Sequence, residues 1–316
     1  MATTTSITTT YAGEFAGKYI AAALLSGKTL EDGAIEIKPN VKYKEVIKKV
    51  AADANVIKDG SCDFTDTGTI TLTERILQPE EFQVNLEFCK KDFRSDWEAV
   101  QMGYSAFDNL PPSFSDFIIA HVAGMVAEKT ENNIWGGVNA TAGEFDGFTV
   151  LMAADATVND APNLTETAFS STNVIDLLGS VVDTIPTALF GKEDLTIYVP
   201  QAAYQAYIRA LGGFGASGLG AAGVNAAGTQ WYNNGNALSY EGIKMQLAPG
   251  MPSDHIVAAQ KSNLYFGTGL LNDQINEVKV LDMSDLDGSQ NVRVVMRFTS
   301  GIQYGIGSDC TLLTLA

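Results

Sequence analysis

Asp282, Asp285 and Asp287 crowd into "DMSDLDG", where three carboxylates could surround a divalent cation. The spacing of a helix-loop-helix calcium site, with acids at positions one, three and five and a glutamate at twelve, is not met. The segment lies between two strand-like runs, where an Asp/Gly hairpin turn is expected in any case. "AALLSGKT" at 22 to 29 is one glycine short of a phosphate-binding loop, because Ala22 stands where the first glycine of the anion nest must be. "GFGASG" sets Gly213, Gly215 and Gly218 in dinucleotide-loop spacing, but a helix precedes it and an Asn/Ala-rich stretch follows, so a plain loop is expected. Only two histidines are present. His121 falls on the apolar face of a helix and is expected in the core, while His255 beside Asp254 is expected as a surface polar group in a turn. Neither a histidine-rich metal site nor a Ser-His-Asp triad has its parts. The three cysteines, Cys62, Cys89 and Cys310, are far apart with no CxxC spacing, which argues for a reducing compartment and against a thiolate metal site. The sequence thus singles out no catalytic, cofactor-binding or metal-ligating residue, and no carboxylate pair stands out among 37 acidic residues.

The elements around these residues form a regular framework. The Thr-rich opening "ATTTSITTT" reads as an extended arm with little to bury. From Ile35 to about Phe93 two long strand-like runs, "KYKEVIKKV" and "TGTITLTERILQPEEFQVNLEFC", flank the polar "KDGSCDFTDTG" and predict a projecting hairpin. Such a ribbon is marginal alone and must lie on its own body or on a neighbouring chain. "PPSFSDFIIAHVAGMVAEKTENNIWGG" predicts a long helix over Ser113 to Trp135, opened by Pro111, Pro112 and a capping-box-like Ser113/Asp116 and closed by Gly136-Gly137. Its periodicity buries Phe114, Phe117, Ile118, His121, Met125 and Val126 and turns Glu128, Lys129 and Glu131 outward.

A helix to Gly191, the strand "LTIYVP" and a helix from Pro200 then predict an α/β unit. Beyond a Gly/Ala-rich stretch, Ile243, Met245 and Leu247 alternate with Lys244 and Gln246, and Ile256 to Ala259 reads as a short buried strand. A closing hairpin sets Val292, Val294, Met296 and Phe298 on one face and Arg293, Arg297 and Thr299 on the other, before an apolar last strand "CTLLTLA".

Composition places the 316 residues among ordinary globular chains, with 46% hydrophobic and 18% charged residues and no run long enough for a membrane helix. No signal peptide is expected from "MATTTSITTT". The net charge of -17 repels phosphate backbones and excludes ordinary nucleic-acid readout. Against that background Lys38, Lys42, Lys44, Lys48, Lys49 and Lys58 fall in one early segment, which suits self-association between unlike patches as well as a solvated strand face.

The order of these elements resembles the major capsid proteins of tailed bacteriophages with the HK97-like fold, over nearly the whole chain. The resemblance is carried by the arm, the long hairpin, the helix opened by "PPSFSDF", the helix start "YVPQAAYQAY", the strand and turn "GIKMQLAPGMP" before "YFG", and "RVVMRFTSGIQYGI". It implies an α+β fold with an N-terminal arm (1-33), an extended β-hairpin loop (34-90), a peripheral domain (91-172 and 273-300) with a spine helix at 113-135, and an axial α/β domain (173-272 and 301-316). It also implies a structural protein and not an enzyme. The subunits would join as hexamers and pentamers in an icosahedral shell assembled in the host bacterial cytoplasm, with scaffolding, portal and decoration proteins as partners. DNA would be held without sequence-specific binding, and no membrane is involved. The cleaved scaffolding domain with which some members begin is not expected here, and no cross-link is expected from Lys58. The rival readings are an encapsulin-type nanocompartment shell, which shares the fold, and a soluble hydrolase.

Overall fold

The computed structural model describes residues 28–41, 43–52, 57, 59–60, 70–89, 112–212, 238–269, 279–285 and 288–316. A short helix α1 (Lys28–Glu31) leads to strand β1 (Glu36–Lys38), followed by the paired strands β2 (Glu45–Ala52) and β3 (Ile70–Leu77) and by β4 (Glu80–Cys89). The long helix α2 (Pro112–Gly136) and the short α3 (Phe148–Ala153) come next, then β5 (Asn159–Ala161), α4 (Val174–Thr184), β6 (Leu195–Val199) and α5 (Gln201–Gly212). Six strands follow α5 before the final one: β7 (Ser239–Tyr240), β8 (Ile243–Leu247), β9 (His255–Gln260), β10 (Leu264–Thr268), β11 (Lys279–Asp282) and β12 (Asn291–Tyr304). The last strand is β13 (Thr311–Thr314). No described helix is long and apolar enough to cross a membrane.

The described strands form three sheets. One has six strands in the order β5-β13-β9-β6-β8-β7, parallel at β5/β13 and β6/β8 and antiparallel elsewhere. The second is built on the 14-residue β12, which pairs antiparallel with β4, β10 and β11, while β1 adds in parallel to β10. The third is the two-stranded β2-β3 ribbon.

Period-two alternation explains how the six-stranded sheet sits in the core. Ile197, Val199, Ile256, Ala258 and Leu313 face α4 and α5, whose Val174, Leu177, Leu178, Val181, Ala203, Ala206 and Tyr207 close one apolar cluster. The alternate residues Tyr198, Val257, Ala259 and Leu312 face the opposite way, onto Ile134 and Trp135 of α2, Phe148 and Met152 of α3, and Phe266 and Ile302 of the second sheet. A sheet buried on both faces has no solvated side, which is why β6 is buried at all five positions.

Several sequence expectations change at this level. The run "TGTITLTERILQPEEFQVNLEFC" is two strands in two different sheets, broken at Gln78-Pro79. Proline has no N–H for a ladder, and the chain crosses β12 closely enough that a Cβ on Gly301 would lie 2.8 Å from the Pro79 Cα. Helix α4 stops at Thr184 and not at Gly191, because Ile185 before Pro186 is held extended. β10, placed by sequence with the α/β unit, joins the second sheet, and β12 runs through 300/301 without interruption. Helix α2 occupies its expected span, but the exposure of its faces differs: Glu131 is wholly buried, whereas Met125 is 47% exposed.

Candidate assembly surface

The β2-β3 register puts Val46 opposite Ile76, Lys48 opposite Glu74, Val50 opposite Leu72 and Ala52 opposite Ile70, all on one face of the ribbon. Val46, Val50, Ile70, Leu72 and Ile76 are 44–71% exposed there. A ridge of five large aliphatic side chains facing water on an isolated two-stranded ribbon is a surface that calls for a partner. The other face is tied to the body near its base. Leu77 is fully buried, Lys38 Nζ meets Glu45 Oε1 at 2.8 Å and lies 4.9 Å from the Tyr265 ring centre, and Gln303 Nε2 donates to the Ile76 carbonyl at 3.2 Å.

Arg75 makes the most connected of these ties. Its guanidinium pairs with Asp155 Oδ2 and stacks 4.4 Å from the Tyr304 ring centre. Asp155 is already oriented, since Tyr304 Oη donates to Oδ2 at 2.8 Å and Thr157 donates its N–H and hydroxyl to Oδ1 at 2.9 and 2.8 Å. Burial disfavours the charge on Asp155, but the donors from Thr157, Arg75 and Tyr304 outweigh it and hold the carboxyl far below the usual carboxylate range. Burial, with Asp155 accepting its proton, pushes the Tyr304 phenol well above its ordinary value.

A second polar cluster fixes the chain just after the first 27 residues. Glu131 on α2 accepts from the Thr29 N–H at 3.1 Å and from Thr29 Oγ1 at 2.5 Å, and Trp135 Nε1 donates to the same hydroxyl at 2.9 Å. Tyr198 Oη donates to the Ala34 carbonyl at 2.6 Å. Burial raises the Glu131 pKa above its ordinary value, opposed by the donors from Thr29, Gly250 and Trp135. The burial of this carboxylate overturns the outward-facing expectation. Glu131 lies four residues before Trp135, on the same helix face, and that spacing was the signal for it.

Among the described residues, those that suggested chemistry do not converge. Asp282 Oδ1 accepts from the Ser284 N–H and hydroxyl at 3.0 and 2.7 Å and so closes its own turn, while Asp287 lies outside the described residues. His255 is not a free surface group: it opens β9 with its Nδ1 2.7 Å from Asp254 Oδ1 and its side chain 16% exposed. His121 is partly buried on α2. Thr29, the end of the phosphate-loop-like run, is committed to Glu131, and residues 22 to 27 lie outside the described residues, as do Gly213, Gly215 and Gly218, Cys62, Lys42 and Lys58. Among the described residues no group of three His, Cys, Asp or Glu is placed to hold a metal ion. Two hollows lie among the described residues. One, of about 260 Å³, is an apolar groove between α2 and the β4/β12 face, lined by Phe82, Val84, Leu86, Val122, Met125 and Phe298. The other, of about 660 Å³, borders β5 and contains Asp155 and Asp160 as its titratable groups.

No family model matches the sequence, and neither does any curated protein. Solved structures do. A chain from Gordonia phage Cozz superposes over 95% of this chain and 89% of its own, with a TM-score of 0.60 at 13% identity. The capsid of an empty GTA particle aligns over 95% and 94%, with a TM-score of 0.59 at 12% identity. The capsid of cyanophage P-SCSP1u aligns over 98% and 92%, with a TM-score of 0.56 at 12% identity. The chain has the fold of phage capsid structures. The match spans almost the full length of each partner.

Proposed function

We propose that this chain is a major capsid protein: a structural, non-catalytic subunit that self-assembles into the icosahedral shell enclosing the double-stranded DNA of a tailed bacteriophage. The observation that carries the reading is the exposed aliphatic ridge on the β2-β3 ribbon, in a chain whose fold is that of capsids. A ribbon that cannot bury its own face gains most from lying on a second copy, and identical copies meeting head to tail close into rings and shells. Lys48, on the same face as the ridge, favours the same contact on a chain of net charge -17.

In this reading residues 1-33 are an N-terminal arm and 34-90 an extended loop. Residues 91-172 and 273-300 form a peripheral domain around the spine helix, and 173-272 with 301-316 form an axial domain. The partners are further copies, as hexamers and pentamers, together with scaffolding, portal and decoration proteins. The acidic balance suits a wall that confines DNA without gripping it. The subunits would assemble in the bacterial cytoplasm and end in the virion. Negative-stain microscopy and light scattering of the purified protein test this. Closed shells, capsomers or tubes are expected, and a clean 33.6 kDa monomer at high concentration would overturn it.

A further inference from the structure

We propose that Arg75, lodged between the Asp155 carboxylate and the Tyr304 ring, is a clamp that sets the angle at which the β2-β3 ribbon leaves the body. Its consequence for assembly rests on the shell reading above; the clamp itself does not.

The ribbon has a pivot and a stop. Leu77 is buried and is the last residue of β3, so it anchors the ribbon like a hinge pin. Arg75 lies two residues further out, ~6.6 Å along the strand, and Ile70 lies seven residues out, ~23 Å from the pivot. The lever ratio is therefore about 3.5, and ~1 Å of slack at Arg75 moves the outer ridge by ~3.5 Å, about one residue step of a strand. A ridge displaced that far meets a different set of side chains on its partner.

The stop is built on rigid elements. Tyr304 and Gln303 end the long β12, and Asp155 follows α3, fixed by three donors besides Arg75. Arg75 thus enters a receptor assembled without it, with a carboxylate on one side and an aromatic face on the other. A guanidinium fits both at once, and an ammonium cannot reproduce the planar stacking. The pair is also reachable: the Arg75 side chain is 28% exposed and that of Asp155 18%. Swinging the ribbon past the stop breaks this pair, the Lys38–Glu45 pair and the Gln303 bond to Ile76 but exposes none of the apolar core around β6 and β9. The clamp can therefore open without unfolding the body.

Hydrogen exchange on the unassembled subunit, read peptide by peptide, tests this with Arg75→Ala and Arg75→Lys. The alanine variant is expected to exchange about tenfold faster across β2 and β3, the lysine variant by less, with β6 and β9 unchanged. Wild-type-like exchange in the ribbon, within about twofold, would overturn the clamp, and so would equal loosening of β6 and β9, which marks a merely structural role. Should Arg75→Ala fail to fold, Arg75→Lys, which keeps the stem and the charge, carries the same comparison. Under the shell reading the alanine variant forms particles of mixed size. Because exchange is measured before assembly, a negative result there removes the clamp and leaves the shell standing, whereas absence of any particle from the wild type removes the shell and leaves the clamp.

Discussion

Replacing Val50 and Leu72 by serine isolates the contribution of the ridge. The two residues face each other across the ribbon and are 66% and 67% exposed, so each still has about two thirds of its side chain to bury on a neighbour. Complete burial of such a side chain contributes ~1.5–3 kcal/mol, which leaves ~1–2 kcal/mol per residue and ~2–4 kcal/mol for the pair. At 1.4 kcal/mol per tenfold, each contact weakens by about 30- to 700-fold. The fold itself should hardly respond, because substitutions at such exposed positions usually fall within ~0.5 kcal/mol. Val50→Ser/Leu72→Ser is therefore expected to keep the wild-type urea midpoint while the concentration at which light scattering rises increases by at least an order of magnitude. An unchanged assembly threshold in a variant with an unchanged midpoint would refute the assignment of this face as an interface.

The interior offers four more tests, at three sites. Glu131→Ala leaves the Thr29 N–H and hydroxyl without their acceptor in a fully buried site, and a loss of ~1–3 kcal/mol is expected in urea titrations. The native Glu131 holds its proton more tightly than the unfolded chain, whose value is the ordinary 4.5, so its contribution is complete below that pH and is lost as pH rises through the higher native value. Glu131→Gln should flatten that downward slope in the urea midpoint, and an unaltered slope would assign it to other groups. Gly250→Ala would set a Cβ 2.2 Å from the Glu131 carbonyl oxygen, a backbone collision that forces the turn away from α2, and a melting temperature lowered by several degrees is expected. Burial pushes the Cys310 thiol up to about 12, so mass mapping after thiol labelling at pH 8 should find it modified only in denaturant; labelling of the native protein would mean that β13 opens.

Much of the framework was legible because it follows from short-range rules. Helix α2 was bounded by prolines and glycines and occupies Pro112–Gly136 against an expected Ser113 to Trp135. The alternation in β12 buries Val292 and Val294 and exposes Arg293 and Arg297, as its pattern required. What escaped depends on where an element ends up. The last turns of α2 run in among α3 and the two larger sheets, so Glu131 is enclosed although it follows the outward-facing Lys129. Further up, helix and sheet diverge into a groove, so Met125 is open to water although it lies on the apolar stripe. Helical period assigns residues to faces; it does not say which neighbour covers each face, or over what length.

The same limit separates the two halves of the assembly surface. The ridge could be read locally, since Val46, Lys48 and Val50 alternate with Ile47 and Lys49, and a ribbon of that length has no interior of its own. Its anchor could not, since Arg75 and Asp155 are 80 positions apart and Tyr304 lies nearly 150 beyond Asp155, so no pattern within a strand or helix joins them. An interface needs both parts: apolar area supplies attraction that is nearly indifferent to angle, whereas the charged and aromatic groups at the base fix the angle and add little area. In the shell reading proposed above, a chain that meets many copies of itself must control the second quantity as closely as the first, because an error of a few ångströms at one contact recurs at every other and decides whether the array closes. Under that reading, the most connected polar cluster at the base of the ribbon lies under a lever.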